Sequence, residues 1–286
     1  MQDRRTMFRN GGQPVIDFSK RVAVITGGAS GIARAVARQL AREGIRAIGL
    51  VDLSDAVTEV AREMNAELGR ECVLAFSGDV TDRGFRTSVF GELKRRFGAV
   101  HICVPAAGIV RDGLTVRVDK TTKEAKLYDQ NLMEKTLAVN LVAAAYWAME
   151  TVASVAEERA RLGLGAWKGG DEVQGEIVFI GSISSAGNKG QVAYAAAKAG
   201  LEGVQSTLAK EAIFYGVRVA IVHPGFTDTP MVRAMDQKII SEYVLPRTQL
   251  GRLLTAEEVA DAIIFMIRNP AVSGALWADA GWHPPA

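Results

Sequence analysis

The chain has 286 residues, 48% of them hydrophobic and 23% charged, with a formal net charge of +2 at pH 7. That is the composition of a soluble globular protein with enough material for a large core, and without a dense Lys/Arg stripe it makes no electrostatic case for nucleic acid. His101, His223 and His283 lie too far apart for a histidine-rich metal site, and no apolar stretch is expected to reach the roughly 20 residues that span a bilayer.

Met1 to Asn10 carries Arg4, Arg5 and Arg9 with no apolar core behind them, so a flexible tail over residues 1–18 is expected rather than a secretory leader. From there short apolar runs alternate with segments of helical period. The runs are Val22–Ile25, Ala47–Val51, Val73–Phe76, Ile102–Val104, Ile177–Ile180, Val217–Val222 and, more weakly, Ala275–Ala278. Between them lie Ala33–Glu43, Asp55–Leu68, Phe85–Phe97, Leu137–Ala160, Ala193–Phe214 and Ala256–Ile267. Near-continuous apolar strands joined by helices predict an α/β fold: a doubly wound parallel sheet of about seven strands covered on both faces. Ligands then bind at the carboxyl ends of the strands. One domain is expected over residues 19–286. Cys72 and Cys103 fall in apolar runs and read as buried, inert thiols of a reducing compartment, taken as the cytoplasm. Two extended segments, Arg111 to Glu134 and Arg161 to Gln174, read as running towards the carboxyl edge or the surface, either as solvated decoration or as substrate or partner contacts.

The first strand runs into Thr26-Gly27-Gly28-Ala29-Ser30-Gly31-Ile32-Ala33 and then a helix. Glycines at such a turn let the backbone approach a pyrophosphate, whose charge is favoured at the helix N-terminus. Asp52 ends the next strand, where a carboxylate can take the adenosine ribose hydroxyls and repel a 2′-phosphate. No Arg or Lys stands within Gly28–Ser30 or beside Asp52, so NAD is expected over NADP. Asp52 could instead cap the helix that follows Ser54 and Asp55.

With these residues in view, the sequence from Arg21 to Trp282 resembles the short-chain dehydrogenase/reductase family. Thr26–Ala33 is similar to its Thr-Gly-x-x-x-Gly-x-Gly turn, Gly78-Asp79-Val80 to its adenine-side Asp-Val, and Pro105-Ala106-Ala107-Gly108 stands where Asn-Asn-Ala-Gly is usual. Asn140 in Ala138-Val139-Asn140-Leu141, Ser182, and Tyr194-Ala195-Ala196-Ala197-Lys198 match the catalytic tetrad, and Pro224-Gly225 with Thr227 and Thr229 resembles the nicotinamide-side segment. The resemblance implies catalysis by Asn140, Ser182, Tyr194 and Lys198. It also implies dinucleotide contacts from Gly27, Ser30, Gly31, Ile32, Asp52, Leu53, Asp79, Val80, Ala106, Ala107, Gly108, Tyr194, Lys198, Pro224, Gly225, Thr227 and Thr229.

The residue types suit the chemistry independently of any family. A free phenol titrates near 10, too high for a good base at neutral pH. Lys198 lies four residues after Tyr194, on the same helix face, where its charge favours the phenolate. Ser182 can donate to a substrate oxygen while Tyr194 gives or takes the proton that accompanies hydride transfer. By resemblance, Asn140 holds a water that links Lys198 to solvent. Three positions depart from the family pattern: Ala33 for the last glycine of the turn, Pro105-Ala106 for two asparagines, and Ala280 before Gly281 where paired glycines are common.

Gly187-Asn188-Lys189-Gly190-Gln191 resembles β-ketoacyl reductases, whereas the extended segments, the NAD preference and Asn269-Pro270 look more like type-2 3-hydroxyacyl-CoA dehydrogenases. The expected reaction is therefore NAD-dependent interconversion of a 3-hydroxyacyl and a 3-oxoacyl thioester, on CoA or a carrier protein. A cyclic, aromatic or steroid secondary alcohol is the alternative, and a non-catalytic NAD-binding sensor or scaffold the rival of another class. Residues 226–252 are expected to form a substrate lid, in which Arg233, Lys238, Arg247 and Arg252 either meet a carrier phosphate or are solvated helix charges. The resemblance implies a homotetramer or homodimer packed through the helices bearing Asn140 and Tyr194, with apolar faces such as Ala143-Ala144-Trp147 and Leu201-Val204-Leu208.

Overall fold

The computed structural model describes residues 8–9, 13–14 and 16–282. Seven parallel strands form one sheet: β1 (Val22–Thr26), β2 (Ala47–Asp52), β3 (Val73–Ser77), β4 (Ile102–Pro105), β5 (Gly175–Ile180), β6 (Val217–Pro224) and β7 (Gly274–Ala278). Their spatial order is β3-β2-β1-β4-β5-β6-β7. The order reverses between β1 and β4, and that switch point opens the crevice in which open α/β sheets bind ligands. The fold is the expected Rossmann-type α/β arrangement.

Alternation along each strand divides the core into two layers. Ile25, Ile48, Val104 and Val222 face one side, where α1 (Gly31–Arg42), α2 (Ala56–Leu68) and α6 (Ala256–Arg268) supply Val36, Leu40, Val60 and Ile263. Val24, Val51, Phe179 and Val219 face the other, against Phe90 and Leu93 of α3 (Arg83–Phe97), Trp147 of the long helix α4 (Gln130–Arg161) and Leu201 of α5 (Val192–Ala212). Strands buried on both faces account for runs apolar at every position rather than every second one. Helix starts are set by local chemistry. The Thr255 hydroxyl accepts the Glu258 N–H at 3.1 Å while Glu258 takes the Thr255 N–H at 2.8 Å, a reciprocal cap.

Several expectations need correction. The tail, 1–18, lies for the most part outside the described residues. Its last part is folded, however: Phe18 is buried in the core and Asp17 caps the 3-10 turn Phe18–Lys20, so the folded chain begins no later than Ile16. Helix α4, with 32 residues, does have the length and apolar composition to cross a membrane. Half of its most apolar window is buried within the fold, where Trp147 and its neighbours pack on the sheet. The residues Ala143, Ala144, Trp147, Leu201 and Leu208 are buried inside this chain and are not free for a partner. The large apolar side chains that α4 leaves exposed are Leu132 in its first turn and, further along, Val142, Tyr146 and Met149.

Segment 111–134 is not all loop. It contains an exposed antiparallel hairpin, Val116–Val118 with Ala125–Leu127, and the first turn of α4. Segment 161–174 runs to the amino edge of the sheet, not the carboxyl edge. There the Trp167 N–H donates to the Phe214 carbonyl at 2.8 Å, and Arg21, just before β1, donates to the carbonyls of Val173 and Gln174 at 2.6 and 3.0 Å.

Candidate active site

At the carboxyl ends of β1, β2 and β4 the glycine-rich turn wraps tightly. Gly27 has φ +76°, and a Cβ there would lie 3.0 Å from the Ala107 backbone, so only glycine fits between the ends of β1 and β4. Gly31, with φ +56° at the start of α1, leaves room for Thr229, whose methyl would be 3.1 Å from a Cβ. A backbone turn open to close approach, with a helix N-terminus behind it, is the cradle a pyrophosphate requires.

Asp52 straps this turn to its strand. Its Oδ2 accepts the Ala29 N–H at 3.0 Å and its Oδ1 the Ser54 N–H at 2.9 Å. The carboxylate closes a local turn before α2 and is held rigid beside the cradle, with lone pairs left for hydroxyl donors. Leu53 beside it is 72% exposed. The Asp79 carboxylate accepts the N–H and hydroxyl of Thr81 at 2.8 and 2.7 Å, which hold it below its ordinary range. The buried Val80 offers its carbonyl to Trp147 Nε1 at 3.0 Å.

Pro105 and Ala106 bring no amide side chains to the cleft floor, and backbone bonds brace it instead. The Ala107 N–H donates to the Thr26 hydroxyl at 3.0 Å. The Asn140 amide takes the Ile109 N–H and donates to the Ile109 carbonyl, both at 2.8 Å. Asn140 is buried where α4 widens into a π turn over Ala138–Ala143, a local irregularity often found at functional sites. Its amide thus braces the floor of the cleft through the backbone of Ile109.

Ser182, Tyr194 and Lys198 do converge. Tyr194 and Lys198 stand on one face of α5, the Lys198 Nζ 5.5 Å from the centre of the Tyr194 ring and donating at 2.7 Å to the Ile180 carbonyl at the end of β5. Burial pulls the Lys198 ammonium down to about 8. Burial also pushes the Tyr194 phenol up to about 12; the Ser182 hydroxyl bonded to it opposes the rise and the Asp112 carboxylate adds to it. Ser182 Oγ accepts the Ser184 N–H at 3.0 Å, so its own proton serves the Tyr194 oxygen and can turn to a substrate oxygen beside it.

Ser182 and Tyr194 line one cleft, with Lys198 buried behind the phenol. Ile32, Pro224, Gly225, Thr227 and Thr229 form its cradle side. Met231, Val232, Met235, Phe226 and Ile183 make an apolar wall, and Asp112, Ser184 and Gln191 a polar one. Gly225 approaches Asp279 so closely that a Cβ would lie 2.6 Å from its carbonyl oxygen, and the Thr227 hydroxyl donates to the Gly225 carbonyl at 3.1 Å. Of the four cations in segment 226–252, three are engaged within the chain. Arg233 grips Asp228 at 2.6 and 2.8 Å, Arg252 grips Glu258 at 2.8 and 2.6 Å, and Arg247 stacks on Tyr243 at 3.9 Å. These three are charges paired within the chain.

Sequence reasoning missed Thr26, Asp112, Gln191 and His223. Thr26 and Gln191 sit inside motifs already quoted, and His223 directly precedes Pro224-Gly225. A lone histidine without ligand spacing gives no signal until the strand neighbouring it is known.

A seven-stranded sheet with a glycine cradle at its switch point and a Ser-Tyr-Lys cluster beside it defines a dinucleotide-dependent oxidoreductase. The chain belongs to the short chain dehydrogenase family, whose model matches residues 21–239, and that family uses a nicotinamide cofactor. Among its relatives, the 3-oxoacyl-(acyl-carrier-protein) reductase FabG of Escherichia coli (strain K12) is 32% identical over 259 residues, covering 90% of this chain and 93% of the relative. The 3-oxoacyl-(acyl-carrier-protein) reductases of Homo sapiens and Mus musculus are 32% and 35% identical over 255 residues, 89% of this chain and 94% of each relative.

Proposed function

We propose that this protein is an NAD(H)-dependent oxidoreductase that interconverts a secondary alcohol and a ketone at the third carbon of an acyl thioester. The observation that carries the reaction type is that Ser182 and Tyr194 line one cleft with Ile32 of the glycine-rich turn, while Lys198 is held behind the phenol by the Ile180 carbonyl. Bound nicotinamide dinucleotide would supply or accept the hydride. Ser182 donates to the substrate oxygen, Tyr194 gives its proton to that oxygen in reduction and takes it in oxidation, and the Lys198 charge beneath the phenol favours the phenolate. The apolar wall of Met231, Val232 and Met235 suits an acyl chain, and segment 226–252 acts as its lid.

Asp52 supports NAD over NADP, because a carboxylate held at the end of β2 beside the glycine turn would repel a 2′-phosphate and accept ribose hydroxyls. The arginines of α1 offer that phosphate little: Arg34 pairs with Glu63 at 2.9 Å and Arg38 with Glu67 at 3.4 Å, both on α2. The thioester assignment draws on the reductase relatives and on an apolar cleft wall. The exposed stripe Val142, Tyr146 and Met149 on α4 supports self-association, and two free buried cysteines fit a reducing cytoplasm.

The test is the loss of NADH absorbance with acetoacetyl-CoA, against NADPH and against Tyr194→Phe. Turnover with NADH that the variant loses is the expected result. Turnover by the variant at the wild-type rate would overturn the assignment of Tyr194, and turnover only with NADPH would overturn the cofactor choice.

A further inference from the structure

The ladder between β5 and β6 ends where the Gly181 N–H donates to the Val222 carbonyl at 2.7 Å. Pro224 has no N–H to extend it. The backbone of Ser182, one residue past the last rung, therefore has to be held by something other than a strand. His223 is placed to do this. The residue is 1% exposed, and its Nδ1 lies 3.3 Å from the Ser182 N, 3.2 Å from the Ser182 carbonyl oxygen and 3.3 Å from Ser185 Oγ. Ser185 in turn donates to the same Ser182 carbonyl at 2.5 Å.

The surroundings hold the ring in place. Gly181 carries no side chain, and a Cβ there would fall 2.5 Å from the imidazole Nδ1, so the ring occupies space that any other residue at 181 would need. One face of the ring stacks on Trp277 of β7, 4.3 Å between centres and 15° from parallel, and Nε2 is 3.9 Å from Glu202 on α5. In either neutral tautomer Nδ1 meets a partner on Ser182, the N–H when it accepts and the carbonyl when it donates.

We infer that His223 is a positioning residue that sets the backbone of Ser182, and through it the direction in which the Ser182 hydroxyl meets the substrate oxygen. The inference rests on Ser182 acting as the donor in the reaction proposed above. Nothing in it requires His223 to touch substrate or dinucleotide. A hydroxyl displaced by about an ångström loses alignment in the transition state, while Pro224 and Gly225, held by the strand pairing of β6 with β7 and the Gly225 N–H bond to Ala278, keep their place on the dinucleotide side.

The experiment compares His223→Leu, His223→Asn and His223→Gln in the full chain, with any ketone that the wild type reduces, reading kcat and, by NADH fluorescence, the dinucleotide Kd. The Leu variant should lose roughly 10- to 100-fold in kcat with Kd within about twofold. An asparagine amide reaches as far as Nδ1 and a glutamine amide as far as Nε2, so Asn should recover kcat to within about fivefold of wild type and Gln should not. A Leu variant within twofold of wild type, or Asn no better than Gln, would overturn the inference; if Leu does not fold, the order of Asn and Gln decides. Ser182→Ala in the same assay separates the two assignments. Full turnover there defeats the role of Ser182 itself, whereas its loss beside an unaffected His223→Leu defeats only the role of His223.

Discussion

The Lys198 ammonium donates to the carbonyl of Ile180 at 2.7 Å while lying 5.5 Å from the centre of the Tyr194 ring. A single backbone acceptor at the end of β5 thereby fixes a positive charge under the phenol. The arrangement costs stability, because that charge is buried: the ammonium is pulled from 10.5 down to about 8.

The folded chain releases the proton of Lys198 near 8 and the unfolded chain near 10.5, so the penalty, roughly 3 kcal/mol, is complete below 8 and fades as pH rises to 10.5. Lys198→Met should therefore gain stability relative to wild type at pH 7 and lose that advantage by pH 10.5, as thermal melts across this range would show. The same variant should lose about 100-fold in alcohol oxidation at neutral pH, with the rise of rate with pH moved upward, because the phenolate has lost its counter-charge. A stability difference independent of pH would contradict the burial argument.

Asp52→Ala removes both the carboxylate beside the cradle and the acceptor of the Ala29 and Ser54 N–H groups. Its kcat/KM with NADH should fall about 10- to 100-fold and its ratio of NADPH to NADH efficiency should rise at least about tenfold, since repulsion of a 2′-phosphate is lost together with a ribose acceptor. Parallel losses with both dinucleotides would mean that Asp52 only shapes the turn.

Asn140→Leu leaves the N–H and carbonyl of Ile109 without the two 2.8 Å bonds that hold the cleft floor. Each orphaned group costs about 1–3 kcal/mol when buried, so denaturant midpoints should fall by roughly 2–4 kcal/mol in equivalent stability, and the dinucleotide should bind more weakly. Unchanged stability would show that the π turn of α4 has no bracing role.

Ala280 adopts φ +60°, the left-handed region, two residues after β7 ends and just before Gly281 at φ +68°. An L side chain there costs about 1–2 kcal/mol, of which the extra chain entropy of glycine cancels part. Ala280→Gly is expected to stabilise by about 0.5–1 kcal/mol with activity intact, readable as a rise in melting temperature.

Val142, Tyr146 and Met149 form an exposed apolar stripe on α4, 48%, 51% and 42% accessible. If two copies pair through it, Tyr146→Glu should lower the sedimentation coefficient to that of a single chain at micromolar concentration. A wild type that already sediments as one chain would rule the pairing out.

The alternation of apolar runs with helical periods was enough to predict the sheet, its parallel sense and ligand binding at the carboxyl ends of the strands, because these follow from short-range patterning and chain chirality; the switch point between β1 and β4 came from the strand order. Tyr194 and Lys198 were legible for the same reason: four residues on a helix are neighbours wherever that helix goes. The structure alone decided relations between residues distant in the chain. It placed Asn140 on the backbone of Ile109, His223 behind Ser182, and Arg233 and Arg252 on carboxylates of their own chain. It likewise sent segment 161–174 to the amino edge and turned Trp147 inward but Tyr146 outward. A sequence states which side chains can bond or be buried; which groups meet depends on the register and crossing of elements far apart in the chain, and that is settled only when the whole core packs together.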